Sequence, residues 1–157
     1  MSKTNQIRWL SLSILVFLLD QTSKWLIHKY FVVGQSDTVL PFFNLVFSHN
    51  SGAAFGFLSL AGGWQRWFFI LVAAVISAVI LRLLSTMSRE TNWTACAMAL
   101  VLGGALGNLY DRVVYGHVTD FFDFHLNTWH FATFNVADTA ICIGVGMWLL
   151  ACFLKKT

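Results

Sequence analysis

Two aspartates, Asp120 and Asp138, flank an aromatic stretch, and each lies at the edge of a long apolar run. Carboxylates brought close together cannot both ionise easily, so such a pair shares a proton. The ionised member can take a proton from water while the neutral one hydrogen-bonds a carbonyl. That chemistry hydrolyses an amide without a covalent intermediate. Asp138 also follows Asn135 at the spacing of a helix cap with an acid in the first turn, where the helix dipole favours the anion. Taken alone, these two residues are explained as well by capping as by chemistry.

Other polar residues fall inside apolar runs, where an ionisable group is costly and therefore a candidate for function. Asp20 and Lys24 are one helical turn apart, and mutual neutralisation explains them without a site. Asn108 and Arg112 continue a four-residue spacing that begins at Gly104. Arg112 near a span end suits snorkelling to headgroups as well as it suits a site. Asp111 and Asp123 are expected to be solvated or interfacial. The histidines His117, His125 and His130 match no metal-ligand spacing, so no metal is expected. Cys96, Cys142 and Cys152 are odd in number and lie within apolar blocks, which suits packing and not a disulfide framework.

The elements that must carry these groups follow from composition. With 57% hydrophobic and 11% charged residues, the 157-residue chain cannot cover a soluble surface. Four segments, approximately 8–28, 67–84, 93–114 and 134–154, are long enough to cross a bilayer, and in hydrocarbon they must be helices. Lys3 and Arg8 before an apolar run imitate a secretory signal peptide, but Asp20 and Lys24 interrupt that run and no small-residue cleavage site follows. We read an uncleaved first span. Lys3, Arg8, Arg82, Arg89, Lys155 and Lys156 fall on one side of four alternating spans, which places both termini in the cytoplasm. Basic residues at span ends form no stripe for nucleic acid.

Two stretches then face outward. One runs from Thr38 to Gly56 and is rich in β-formers and turn residues; the other, Gly116 to Thr133, mixes aromatic and polar residues. Both suit short strands or loops at the interface. In the third span Ala95, Ala99, Gly103 and Gly107 make a smooth ridge for close helix packing. The second span brings no charge to the outer half and reads as purely structural. At 1.5 Å per residue, Asp20 lies roughly 16 Å from the cytoplasmic end of its helix and Asn108 roughly 22 Å from that of its own. Asp20, Lys24, Asn108, Arg112, Asn135 and Asp138 thus share the outer half of the membrane. No repeat or linker divides the chain, so one domain, 1–157, is expected.

Five blocks now acquire a common meaning: Asp20-Gln-Thr-Ser-Lys24, His49-Asn-Ser-Gly-Ala-Ala-Phe55, Gly103-Gly-Ala-Leu-Gly-Asn-Leu-Tyr-Asp-Arg112, Val118-Thr-Asp-Phe121 and Phe134-Asn-Val-Ala-Asp-Thr139. In this order, over nearly the whole chain, the sequence resembles the bacterial lipoprotein signal peptidases (signal peptidase II), which are membrane aspartic proteases. The resemblance implies a mainly α membrane protein, four transmembrane helices with a small extracytoplasmic β-cradle. It implies a monomer of the bacterial cytoplasmic (inner) membrane, acting among membrane lipids without a cofactor. Its substrates would be prolipoproteins, cut on the N-terminal side of a cysteine bearing diacylglyceryl. It maps the catalytic pair onto Asp120 and Asp138, and supporting residues onto Asp20, Lys24, Asn50, Gly104, Asn108, Arg112 and Asn135. Thr119 stands where an apolar residue is expected and faces no evident chemistry. The loops around Gly52 and Gly56 are candidates for a lid.

Three other readings compete, of which a purely structural membrane protein is disfavoured by the depth that the polar groups share. A small transporter would line a polar path with Asp20, Lys24 and Arg112, but the chain has no inverted repeat and its polar groups stop in the outer half. A hydrolase using Ser23 or Ser51 with Lys24 as base is the other, although adjacent residues on a helix point to different faces.

Overall fold

The computed structural model describes residues 3–52, 58, 62–87 and 92–154. Gly56, half of the expected lid, and the basic residues Arg89, Lys155 and Lys156 lie outside them. Four helices, α1 (Lys3–Tyr30), α2 (Trp64–Thr86), α3 (Asn92–Val114) and α4 (Val136–Leu154), are long and apolar enough to cross a membrane. Their outward surfaces carry exposed Leu18, Leu71, Val79 and Phe153, as a lipid-facing surface requires.

α3 is the centre of the bundle and packs against the other three helices. Its small residues make this possible, on two faces. A Cβ on Gly103 would meet the carbonyl oxygen of Ser13 at 2.6 Å, and one on Gly107 would meet Asp20 Oδ2 at 2.5 Å, so the expected ridge seats α1. Gly104 points elsewhere: a Cβ there would run into the Ala137 carbonyl oxygen and Ile141 of α4. Alanine at Gly104 must therefore push α3 and α4 apart against backbone that cannot turn away. We expect a loss of about 1–3 kcal/mol, read as a lower Tm in detergent. An unchanged Tm would show that the two helices are not in contact there.

The two stretches expected to face outward form one antiparallel sheet in the order β1 (Ser36–Leu40), β2 (Phe43–Asn50), β3 (Val118–Leu126) and β4 (Trp129–His130). β2 and β3 come from different stretches and pair Asn44 with Asp123, Leu45 with Phe122, Ser48 with Asp120 and Asn50 with Val118, with a bulge between Leu45 and Ser48. Ile27 from the end of α1 packs with Phe47 and Phe121, which fastens the sheet to the bundle.

The fourth span begins two residues later than hydropathy suggests. Phe134 is an isolated β-bridge to Phe122, and Asn135 precedes the helix and accepts the Asp138 amide on Oδ1 at 2.9 Å. An apolar residue in a strand and one in a helix look alike to hydropathy, so only the pairing separates them.

Candidate active site

Residues from α1, the β2–β3 ladder, α3 and α4 meet where the sheet joins the bundle. Asp120 is supplied by β3 and Asp138 by the first turn of α4. Asn135 is completely buried and bridges them: its side chain donates to Asp120 Oδ1 at 2.7 Å, and its main-chain N–H lies 3.3 Å from Asp138 Oδ2. Asn50 of β2 donates to Asp120 Oδ2 at 2.9 Å, and Asn108 of α3 donates to Asp138 Oδ1 at 2.8 Å. Capping and site geometry are thus the same arrangement, because the residue that caps α4 also orients Asp120.

Beneath them lies a second, buried layer of charge. Lys24 Nζ is 2.7 Å from Asp20 Oδ2, 2.7 Å from Asp111 Oδ2 and 3.1 Å from Asn108 Oδ1. Asp20 Oδ1 accepts the Ala137 amide at 2.9 Å, which ties α1 to the start of α4. Gln21 donates to Asp111 Oδ1 at 2.9 Å. Asp20 and Lys24 do neutralise each other, but Lys24 also fixes the Asn108 amide. With its carbonyl oxygen on the ammonium, Asn108 turns its NH₂ toward Asp138.

Three sequence expectations need correction. Asp111 is not solvated; it is 1% exposed and completes the Lys24 cluster. Asp123 is buried as well, accepting from Asn44 at 2.9 Å and pairing with His130 at 2.9 Å. Burial alone would raise its pKa, but the hydrogen bonds from Asn44 and His130 hold it below the usual carboxylate range. Thr119 does have partners: its hydroxyl bonds His28 Nε2 at 2.8 Å, and its carbonyl accepts from Asn135 at 3.3 Å. A polar residue therefore belongs there, with its side chain on α1 and its carbonyl toward the site.

Arg112 donates to the Gly52 carbonyl at 2.8 Å and to the Asn108 carbonyl at 3.3 Å, which engages it with protein. A cavity of about 550 Å³ opens beside these groups, with Asn50, Asn108, Arg112 and Asp138 as its polar wall and Phe131, Phe134, Ile141 and Ile143 as its apolar wall. Ile143 is also exposed on the outside of α4, so the cavity reaches the surface that faces lipid. Cys142 is part of this wall and is exposed, where packing alone was expected. Asp138 is half-buried on the cavity, whereas Asp120 is 1% exposed beneath Asn50. Burial, followed by the charge of Asp138, pushes the Asp120 carboxyl up to about 7 against the pull of its Asn50 and Asn135 hydrogen bonds. Ser23 spends its hydroxyl on the Asp20 carbonyl at 2.7 Å, and the Lys24 ammonium lies among Asp20, Asp111 and Asn108, so this pair is not arranged as nucleophile and base.

Known proteins are similar to this chain in sequence and in fold. The pattern of the signal peptidase (SPase) II family matches residues 12–154. The chain is 48% identical over 149 residues to the lipoprotein signal peptidase of Yersinia enterocolitica, covering 95% of this chain and 88% of that one. It has the same identity and coverage with the lipoprotein signal peptidase of Yersinia pestis strain Pestoides F. A bacterial membrane enzyme solved by the in meso method at 2.3 Å superposes with a TM-score of 0.86 at 29% identity, over 96% of this chain and 90% of that one. A second, solved at 1.9 Å, gives 0.81 at 31% identity, over 96% and 94%. A family match over most of the length, relatives at nearly half identity and a shared fold lead to one assignment: this multi-pass membrane protein belongs to the signal peptidase II family.

Proposed function

We propose that the chain is an aspartic endopeptidase that removes signal peptides from diacylglyceryl-modified prolipoproteins, cutting on the N-terminal side of the lipidated cysteine. The observation that carries this reading is the bridge made by Asn135, which holds Asp120 and Asp138 in one hydrogen-bonded unit beside a cavity open toward lipid. The enzyme works as a monomeric single domain in the bacterial cytoplasmic membrane, with both termini in the cytoplasm and the sheet outside. An apolar signal helix with a lipid-bearing cysteine at the outer leaflet then meets the pair at its own depth.

In this mechanism Asp120 carries the shared proton and Asp138, on the cavity wall, takes a proton from the attacking water. The scissile carbonyl displaces Asn50 from Asp120 and accepts the Asp120 proton in a hydrogen bond as the oxyanion develops. Asn108 and Asn135 keep the two carboxyls in register, and Arg112, on the cavity wall, holds the main chain at Gly52.

Purified protein should release the signal peptide from a diacylglyceryl-modified prolipoprotein and leave a product that begins at the modified cysteine, as mass spectrometry would establish. Serine-directed reagents and chelators should leave the rate unchanged. No cleavage under conditions where a known signal peptidase II cuts the same substrate removes the proposal.

The pH profile tests the proton assignment. As pH rises through about 7, Asp120 ionises beside Asp138 and loses the proton it donates, so cleavage declines on the alkaline side. Asn50→Ala removes a hydrogen bond that favours the ionised form, so the alkaline limb should move to higher pH. A limb that stays in place or moves down would assign the proton elsewhere.

A further inference from the structure

The second helix brings no charged group into the outer half of the membrane by sequence, yet its first two turns act on a residue of the site. Arg66 donates from Nε to the carbonyl of Arg112 at 2.8 Å and from a terminal nitrogen to the carbonyl of Val113 at 2.9 Å. These belong to the last turn of α3, where a helix leaves carbonyls without an intrahelical donor. One turn further along α2, the Phe69 ring faces the Arg112 guanidinium, with Cζ 5.0 Å from the ring centroid. α2 therefore grips Arg112 twice, by its main chain and by its charged end. Gly116, with φ +85°, turns the chain away just after α3, and a Cβ there would stand 3.4 Å from the Arg66 guanidinium.

We infer that Arg66 and Phe69 are positioning residues for signal-peptide cleavage, forming a clamp that holds Arg112 at the wall of the catalytic cavity and, through it, the backbone at Gly52. Arginine has a long side chain with much rotamer freedom, and a guanidinium that reaches across a cavity is useful only if it is already in place when substrate arrives. Its two donor contacts, to Asn108 and Gly52, set the direction of the fork, and Phe69 closes the face that those contacts leave open. The inference rests on Arg112 serving the site as proposed above.

Cleavage of a diacylglyceryl-modified prolipoprotein by purified full-length variants tests it. Phe69→Leu should lower kcat/KM about three- to thirtyfold, chiefly through kcat, and Phe69→Trp, which keeps a ring face for the cation, should recover activity to within about twofold of the parent. Arg66→Gln should fall in the same direction. In an Arg112→Ala background both substitutions should have no further effect, because they act through Arg112. Full activity in Phe69→Leu and Arg66→Gln, or the same fold-loss with and without Arg112, overturns the clamp. If Arg112→Ala itself cuts at the parental rate, the failure lies in the assignment of Arg112 to the site. Thermal unfolding of each variant separates either result from a folding defect, and the tryptophan variant keeps the test usable if leucine destabilises.

Discussion

Asparagine at position 120 should leave a folded protein that no longer cuts. The substitution keeps the shape of the side chain but removes the proton that the proposed mechanism places there, and general acid–base contributions of this kind are worth about 10²–10⁴ in rate. Asp138→Asn should fall as far. Both carboxyls are placed to accept: Asn50 and Asn135 point donors at Asp120, and Asn108 and the Asn135 amide point donors at Asp138. An amide there turns one NH₂ toward a donor, a local cost that a near-parental Tm would show to be small. In the proposed mechanism the two carboxyls act as a unit, so the double variant should be hardly slower than either single one. Single-turnover cleavage by the purified variants decides the matter. A rate near the parent's for Asp120→Asn would mean that Asp120 does not carry the chemistry, and that the mechanism must be rebuilt around Asp138 alone.

Lys24→Met should show the next largest effect, first on stability. Methionine fills most of the space but leaves Asp20 and Asp111, 0% and 1% exposed, without their cation. Breaking a buried ion cluster from one side typically costs about 3–5 kcal/mol, because the charge left behind has no solvent. We expect a large drop in Tm in detergent and a poor yield of folded protein. Adding Asp20→Asn and Asp111→Asn should recover much of the Tm, since neutralising every member removes the penalty. Activity should not return with stability, because Asn108 has then lost the ammonium that sets which way its amide faces. A single variant with unchanged Tm would show that Asp20 and Asp111 are satisfied without Lys24.

What could be read from the chain alone, and what could not, follows from the range of the interactions involved. The four spans were legible because hydropathy accumulates over about 20 consecutive residues. The depth shared by Asp20, Lys24, Asn108, Arg112, Asn135 and Asp138 was legible because helical rise converts sequence distance into height. Azimuth was not. Asp111 looks interfacial by position at the end of α3, and only the rotation of that helix against α1 brings it onto Lys24. The same limit concealed α2, whose contribution is a guanidinium and a ring that meet α3 across helices. Pairing of β2 with β3 joins residues such as Asn50 and Asp120, 70 positions apart, and strand register is carried by no local pattern in either stretch. Thr119 illustrates the point within a single residue. It seemed misplaced for an apolar strand, and its reason lies in His28, 91 positions away.

The order in which the chain is made gives the Asp20 carboxylate a history. When α1 first enters the bilayer, Lys24, one turn away, and the adjacent Gln21 are within reach on the same helix, so the young span carries its own counter-ion. Asp111 arrives with α3, and the Ala137 amide, 117 residues downstream of Asp20, arrives last with α4. A chain arrested before that point has neither Asn135 nor Asp138, so by the proposed mechanism it should attack no signal peptide. In the proposed mechanism α4 is therefore the arming step, and proteolytic competence waits until that helix joins the other three.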